Sequence, residues 1–280
     1  MITTKLYQCF HDHGSMPPRK YTSPIRPALL CGADVEWRHT GNIKNVLRDN
    51  TGDNISSENM QYSVLTGCYW IWKNVKDVDI VGIEHYRRHF IYRNSPIEDY
   101  VHTEDLINDA YIIGILQETD FILPVHQTLA NTSVYDLYKI CFHEQADEIV
   151  KWMNRCFKDS PKYLEAMYAY LSHGNITRAN MLITTWHDYA SYCEALFGLL
   201  DYMKANMPVE PDSRVWGYVA ELFPIIYVTA NNKKYVEVDV AVDDFDQELQ
   251  KEVVYTTQNQ KIEPFDQKTP EEQIEHLKTL

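Results

Sequence analysis

Residues 80–90 read IVGIEHYRRHF, an apolar run followed at once by a dense polar cluster. A short, uninterrupted apolar run is typical of a strand that is buried on both faces of a parallel sheet. Open α/β sheets bind their ligands at the carboxyl ends of such strands. The stretch therefore predicts a central strand whose end carries a functional site.

Other apolar runs alternate with helical patterns along the chain. We predict strands at 4–10, 121–124, 180–183 and 225–228, with a further short element at 27–32. We predict helices at 56–74, 103–118, 133–157, 160–171, 186–206 and 215–223. This alternation indicates an α/β fold, a single domain with a central, mainly parallel sheet flanked by helices.

Two segments lack such periodicity. Residues 34–54 are rich in Gly, Asn and Asp, which predicts a long surface loop. The end of the chain is acidic and polar. We therefore expect one domain over 1–240 and a loosely held extension over 241–280.

Composition excludes several classes of function. The 280 residues carry a formal net charge of −14, which argues against a nucleic-acid partner and against a broad basic patch for anionic lipids. The six cysteines form no CxxC pair, which predicts free thiols in a reducing cytoplasm. No run of about 18 apolar residues is present, so no membrane-spanning helix is expected.

The cluster at 84–89 combines a carboxylate, two imidazoles and two guanidiniums. Arg87 and Arg88 are suited to clamp a diphosphate, because a guanidinium binds phosphate oxygens in pairs. Glu84, His85 or His89 could hold a divalent metal or position a sugar. The alternative is a salt-bridge cluster that ties the sheet to a neighbouring loop.

Three weaker candidates lie elsewhere. In the first, Asp53 and Asn54 precede a helix whose N-terminus favours phosphate, although an ordinary capping loop explains them as well. In the second, His173 and Asn175 occupy a polar turn before a predicted strand. A third triplet, His11-Asp12-His13, could bind metal but is expected to be solvated.

A helical face at 214–221 is the remaining candidate. Arg214, Tyr218 and Glu221 lie at spacings of four and three residues, so they share one side of a helix. On a partly apolar helix, Glu221 would be suited to act as a general base. An Arg/Glu network within the helix is the alternative. Glycine-rich phosphate loops are absent, so side chains and helix ends would have to hold a nucleotide.

Several of these blocks occur together in one known family. They are Gly52 to Ser56, Asn59, Tyr62-Ser63, Leu65-Thr66, Tyr69-Trp70-Ile71-Trp72-Lys73-Asn74 and Gly82 to Arg88, with 180–183 and 214–221 in support. Over about residues 4–230 the chain resembles the capsular and exopolysaccharide biosynthesis glycosyltransferases, a family long catalogued as a domain of unknown function.

The resemblance implies a GT-A-like fold and transfer of a sugar from a nucleotide donor to a growing glycan. The implied donor is a UDP-sugar, with UDP-galactofuranose one to test early. The implied acceptor is a lipid-linked or free oligosaccharide. The protein would then be cytoplasmic, at the inner face of the membrane or peripherally bound to it.

One departure from the general GT-A pattern concerns the metal. Such enzymes usually carry Asp-x-Asp after a central strand, where this chain has Glu84 to Arg88. Asp77-Val78-Asp79 precedes the apolar run, so we expect it to be a solvated turn at the entry end of the strand. Two hypotheses remain open: Glu84 and His85 hold Mn²⁺ or Mg²⁺, or Arg87 and Arg88 neutralise the leaving diphosphate directly.

The predicted roles follow from the resemblance and the residue chemistry together. Glu221 is the expected base, which gives inversion at the anomeric carbon, and Arg87, Arg88 and His85 stabilise the leaving group. The remaining candidates bind the donor (Asp53, Asn54, Glu84, Tyr86) or the acceptor (His173, Asn175, Arg214, Tyr218). The rival hypotheses are a non-catalytic sugar- or nucleotide-binding module and, less favoured, a metal-dependent hydrolase.

Overall fold

Strands and helices alternate along the computed structural model, which describes residues 2–12, 14–17, 22–35, 43–92, 102–129, 131–177, 179–210, 213–246, 251–256 and 269–280. The strands are β1 (Thr4–Phe10), β2 (Ala28–Leu30), β3 (Leu47–Arg48), β4 (Ile80–His85), β5 (Arg88–Phe90), β6 (Phe121–Pro124), β7 (Gln127–Thr128), β8 (Asn175–Ile176), β9 (Leu182–Thr185), β10 (Tyr235–Val238), β11 (Val240–Asp246) and β12 (Lys251–Thr256). The helices are α1 (Asn59–Tyr62), α2 (Leu65–Asn74), α3 (Asp109–Leu116), α4 (Val134–Phe142), α5 (Glu144–Phe157), α6 (Pro161–Ser172), α7 (Trp186–Asn206), α8 (Val215–Ala230) and α9 (Pro270–Thr279).

The main sheet runs in the order β10-β6-β9-β4-β1-β2-β3. Neighbouring strands are parallel from β4 to β3 and between β10 and β6. Only β9 on this path is antiparallel to its neighbours, β4 and β6. The predicted central, mainly parallel sheet is therefore confirmed, and the predicted strand at 80–83 lies in its middle.

Alternate residues of the central strands pack into two cores. Val81 and Ile83 face the larger core, to which most of the helices contribute. Ile80 joins a smaller core on the other face, together with Ile112 of α3 and Ile183 of β9. Gly67 brings α2 close to the sheet, since a Cβ there would lie 2.6 Å from Cys31 Sγ. The sheet is thus covered on both faces, as its apolar strands require.

Two predicted helices are interrupted by residues with positive φ. The helix predicted at 56–74 starts as a short 3₁₀ turn and breaks at Ser63, where φ is 51°. The helix predicted at 133–157 divides at His143, where φ is 50°. The apolar periodicity continues across both breaks, so sequence spacing alone does not reveal them.

The strand predicted at 225–228 is wrong. Helix α8 continues through Pro224 to Ala230, and the strand next to β6 is Tyr235–Val238 instead. Proline removes one helical hydrogen bond. Burial of Phe223, Ile226 and Val228 in the larger core favours the helix despite this loss.

The structure corrects two further predictions, one for a helix and one for a loop. The helix predicted at 103–118 is shorter, because α3 begins only at Asp109, where the Asn108 side chain caps it. The loop predicted at 34–54 contains β3 and the fully buried Asp49, which accepts hydrogen bonds from Gly32 N (2.7 Å) and Ser56 Oγ (2.5 Å).

The C-terminal segment is better anchored than its composition predicts. Strand β11 pairs with β5, aligning Val240 with Phe90, and Val242 is still buried. Helix α9 inserts the fully buried Leu277 into the larger core, and Asn154 Nδ2 donates to the Leu277 carbonyl at 2.9 Å. Both ends of the polar segment therefore pack against the rest of the chain.

All six cysteines are free thiols, as predicted. Asp79 lies at the entry end of β4, where its Oδ2 accepts from Thr3 N at 2.8 Å, which confirms the position expected for the Asp77–Asp79 triplet. None of the helices within the described ranges combines the length and apolar character needed to span a bilayer.

Candidate active site

A cavity of about 270 Å³ opens at the carboxyl ends of β1, β2 and β4. Pairing in register brings these ends together, with Cys9 beside His85 and Phe10 beside Leu30. The antiparallel β9 starts at the same edge, so Asn180 also reaches the cavity. We call this space the donor cavity, after the role that we propose for it; its lining residues are Cys9, Phe10, His11, Cys31, Asn59, Met60, Ser63, Val64, His85, Tyr86, Arg87, Arg88, Asn180, Arg214, Gly217, Tyr218 and Glu221.

The donor cavity unites two candidate clusters that are far apart in sequence. The turn after β4 contributes one set, and the first turns of α8 contribute the other. The candidates that line it are His85, Tyr86, Arg87, Arg88, Arg214, Tyr218 and Glu221. The spacing of residues within each cluster does not predict that the two clusters meet in the structure.

A tight turn presents the first cluster. Strands β4 and β5 form a hairpin in which His85 pairs with Arg88, leaving Tyr86 and Arg87 at its tip. The backbone N–H of Tyr86 donates to the Cys9 carbonyl at 2.9 Å. This bond ties the tip to the end of β1 and holds the arginines at the sheet edge.

Glu84 lies on the opposite face of β4 from His85, because successive side chains of a strand alternate. Its carboxylate is fully buried and accepts from Arg26 Nε (3.2 Å) and from Phe90 N (3.0 Å). Burial alone would raise the pKa of this carboxyl, but the charge of Arg26 and hydrogen bonds from His89 and Phe90 lower it. Glu84 therefore anchors the hairpin and does not line the donor cavity.

The predicted metal pair does not fit a shared ion. Glu84 and His85 point to different faces of β4, and both Glu84 oxygens already accept hydrogen bonds. Across the described part of the chain, no three His, Cys, Asp or Glu side chains are grouped as metal ligands. The donor cavity is instead rich in guanidinium groups.

His85 is held neutral. Burial, followed by the charge of Arg88, lowers the pKa of the imidazole to about 3, although a hydrogen bond with the Ala179 backbone opposes the shift. Its Nε2 atom is shielded from solvent and has no hydrogen-bond partner, and the same is true of Asn180 Oδ1. Asn180 Nδ2 donates to the Gly217 carbonyl at 3.0 Å, which fixes the amide. These two buried atoms are unsatisfied hydrogen-bonding groups of residues that line the cavity.

An aromatic pair forms another part of the lining. The rings of His11 and Tyr86 meet edge to face, with centroids 5.5 Å apart, and the Arg87 guanidinium lies 5.5 Å from the Tyr86 ring centre. The His11 side chain is 40% exposed, as expected for this triplet, and it also lines the donor cavity. His13 lies outside the described residues. The position of His11 directly after β1 is the signal that could have identified it.

Sequence reasoning missed a third contribution, from the broken helix. The break at Ser63 brings Asn59, Met60 and Val64 to the cavity wall. Gly217 of α8 faces this break, since a Cβ there would lie in ordinary contact with Ser63 Cβ, at 3.6 Å. A continuous helix was predicted here, so spacing did not indicate that these residues line the site, although Asn59 and Ser63 belong to the blocks that carry the family resemblance.

Besides Glu84 and His89, four candidates lie away from the donor cavity. Asp53 Oδ1 accepts from Tyr69 Oη at 3.2 Å, and Asn54 Nδ2 donates to the Gly52 carbonyl at 3.0 Å. Asn54 Oδ1 also accepts from Ser56 N at 3.1 Å, so both side chains are used within the loop that leads into the 3₁₀ turn. His173 and Asn175 line a different cavity, of about 740 Å³, which also contains the His126–Glu237 pair.

A family match covers residues 5–233, most of the chain. The chain belongs to the DUF4422 family. This family is described as a domain of unknown function. No curated protein has a significantly similar sequence.

The DUF4422 chain shares its fold with a solved structure, the apo form of the bifunctional glycosyltransferase WbbM. The two have a TM-score of 0.68 and 24% sequence identity. The match covers 85% of this chain and 45% of the WbbM chain, so this chain spans less than half of WbbM.

Proposed function

We propose that this DUF4422 chain transfers a sugar from a nucleotide-sugar donor to a glycan acceptor. The observation that carries the proposal is the convergence of Glu221 with Arg88 and neutral His85 on one cavity at the carboxyl edge of the sheet. A carboxylate beside guanidinium groups supplies a base for the acceptor and positive charge for the leaving group. The fold shared with WbbM supports glycosyl transfer as the reaction class.

The lining suits a nucleoside diphosphate sugar. Arg87, Arg88 and Arg214 provide positive charge, and the N-terminus of α8 adds its dipole at the same wall. The aromatic pair His11 and Tyr86 offers ring surfaces for the base. We propose that the unpartnered Asn180 Oδ1 and His85 Nε2 bind hydroxyl groups of the donor.

The chemical step is a single displacement. The acceptor oxygen attacks the anomeric carbon as the bond from that carbon to the diphosphate oxygen breaks. The hydroxyl proton passes to the Glu221 carboxylate, and the bonding electron pair leaves with the nucleoside diphosphate. Arg87 and Arg88 stabilise the developing negative charge, a term that is usually large in such sites. One displacement inverts the anomeric configuration.

The proposed step uses only charged side chains of this chain, namely Glu221, Arg87 and Arg88. Glu84 and His85 do not fit a shared divalent cation, and no step of the proposal passes through one. We propose a UDP-sugar donor, with UDP-galactofuranose to be tested early. We propose a lipid-linked or oligosaccharide acceptor of capsular or exopolysaccharide synthesis, at the inner face of the cytoplasmic membrane.

A calorimetric screen of nucleotide sugars, with and without Mn²⁺, tests this function. We expect one nucleotide sugar to bind and its nucleoside diphosphate to be released on incubation, slowly in water and faster with an acceptor. Tight glycan or nucleotide binding without any turnover would instead favour the non-catalytic module. Loss of binding after chelation would show that groups other than the Glu84–His85 pair recruit a metal.

A further inference from the structure

A second cavity of about 230 Å³ meets the donor cavity at four residues that line both: His85, Arg88, Tyr218 and Glu221. Its other walls come from α4, from β8 and from the residue beside Asn180. We call it the α4 pocket; those further lining residues are Leu137, Tyr138, Cys141, Phe142, Ile176 and Ala179.

We infer that the α4 pocket binds the sugar ring of the acceptor, an inference that rests on the proposed glycosyl transfer. The four shared residues include the proposed base, Glu221, so a molecule in the α4 pocket reaches the base directly. A molecule in the donor cavity would instead approach Glu221 from the side of the sheet edge and α1. Donor and acceptor therefore enter from different walls, which lets the acceptor oxygen attack the anomeric carbon on the face opposite the leaving diphosphate.

The lining fits one uncharged ring. Among the described residues that line it, the positive charge comes from Arg88, which the donor cavity shares. The remaining walls are mostly aliphatic and aromatic, and such walls pack against the apolar face of a sugar ring.

The aromatic wall is fixed before any ligand binds. The rings of Phe142 and Tyr218 lie 4.3 Å apart between centroids at an angle of 35°, and Tyr138 packs on Phe142 at 5.1 Å. Tyr138 Oη also donates to the Tyr218 carbonyl at 3.0 Å, which ties α4 to α8. A fixed aromatic wall beside the base favours binding by pre-organisation.

Cys141 provides a direct test, because it is exposed and lines the α4 pocket. The variant Cys141→Trp would fill the pocket from its rim. Ile140→Trp is the matched control, since Ile140 is the adjacent residue of α4, is 46% exposed and lines neither cavity. Transfer is measured from the donor found in the screen to a panel of p-nitrophenyl monosaccharides.

We expect Cys141→Trp to raise the acceptor KM by about tenfold or more, as the loss of one ring-stacking contact implies. The Kd for UDP should stay at its wild-type value. Ile140→Trp should match wild type in both. Equal acceptor KM values for the two variants, or an equal loss of UDP binding, would overturn the inference.

A second measurement uses the chain with its native Cys141. In a Cys156→Ser background, saturating p-nitrophenyl monosaccharide should slow alkylation of Cys141 by iodoacetamide, whereas UDP alone should not. Unchanged alkylation rates contradict the inference even where Cys141→Trp fails to fold. If wild type turns over no nucleotide sugar but the monosaccharide still protects Cys141, the proposed transfer fails and the sugar pocket stands.

Discussion

Neighbouring residues of β4 show how one backbone register separates two tasks. Glu84 faces Arg26 and the interior, whereas His85 faces the donor cavity beside Arg88. In the sequence they form one polar cluster, for which ligand binding and a salt bridge to a neighbouring loop were the two interpretations. The structure contains both arrangements. The salt-bridge alternative describes Glu84, and the ligand-binding prediction remains for the residues that follow.

The first prediction at this scale concerns the base. Glu221→Gln should lower kcat for transfer by roughly 10²–10⁴, the usual contribution of a positioned general base. The Kd for UDP should stay near the wild-type value, because the amide keeps the shape of the side chain. Glu194→Gln, an exposed position of α7, is the control and should be inert. A wild-type kcat in Glu221→Gln would remove the base assignment.

The second prediction concerns the leaving group. Arg88→Ala should cost at least about 2–3 kcal/mol of transition-state stabilisation, measured from kcat/KM, because it removes a charge from the developing diphosphate. Arg155→Ala is the control, since Arg155 is exposed and lies over the Trp152 ring, away from the donor cavity. The role of Arg88 would be refuted by equal rates in both variants.

The third prediction concerns pH. The unfolded chain binds a proton at His85 near pH 6.5, whereas burial and Arg88 lower the folded pKa to about 3. Below about pH 6.5 the unfolded state therefore binds more protons than the folded state. The free energy of unfolding then decreases as the pH is lowered, by up to about 1.4 kcal/mol per pH unit for this group. The lowered pKa of Glu84 acts in the same direction, but at more acidic pH.

Urea unfolding between about pH 5 and pH 7 measures this effect. His85→Asn should show a smaller slope of stability against pH than wild type. His187→Asn, at an exposed position of α7, should keep the wild-type slope. Identical slopes in all three proteins would show that His85 is not held neutral.

At the scale of elements, the donor cavity depends on how closely helices approach the sheet edge. Helix α2 reaches the ends of β1 and β2 through Gly67, where a Cβ would meet Cys31 Sγ at 2.6 Å and Leu29 Cδ2 at 3.2 Å. Those contacts are buried core, so an added methyl group would force either the helix or the strands to shift. The break at Ser63 then turns the preceding residues into the cavity.

The fourth prediction tests that approach. Gly67→Ala should lower the free energy of unfolding by about 1–3 kcal/mol through overpacking, despite the better helix propensity of alanine. Gly198→Ala has open space around its Cβ within α7 and should instead stabilise by up to about 1 kcal/mol. Denaturant melts of both variants decide the matter, and stabilisation of both would contradict the close packing of α2.

At the scale of the whole molecule, the acidic C-terminal segment returns to the body of the protein. Helix α9 inserts Leu277, and β11 extends the hairpin that carries Arg88. The sequence predicted a loose extension because a polar composition indicates that most side chains of a segment are exposed to solvent. Composition does not reveal that a single apolar side chain, Leu277, packs into a distant core.

The fifth prediction follows from that insertion. Leu277→Ala should lower the free energy of unfolding by about 2–5 kcal/mol, the range for a fully buried leucine. Glu271→Ala, at an exposed position of the same helix, is the control and should change stability little. If α9 does not pack in solution, both substitutions will leave the unfolding midpoint unchanged.

Local patterning determined the central strands, the long helix at 186–206 and the position of the polar cluster at a strand end. It could do so because burial on both faces of β4 and the amphipathic repeat of α7 are properties of neighbouring residues. Only the tertiary structure decided that α8 runs through Pro224, that Glu84 turns inward, and that Glu221 meets Arg88 across a cavity. Those outcomes depend on packing between segments distant in sequence, whose combined burial outweighs local preference.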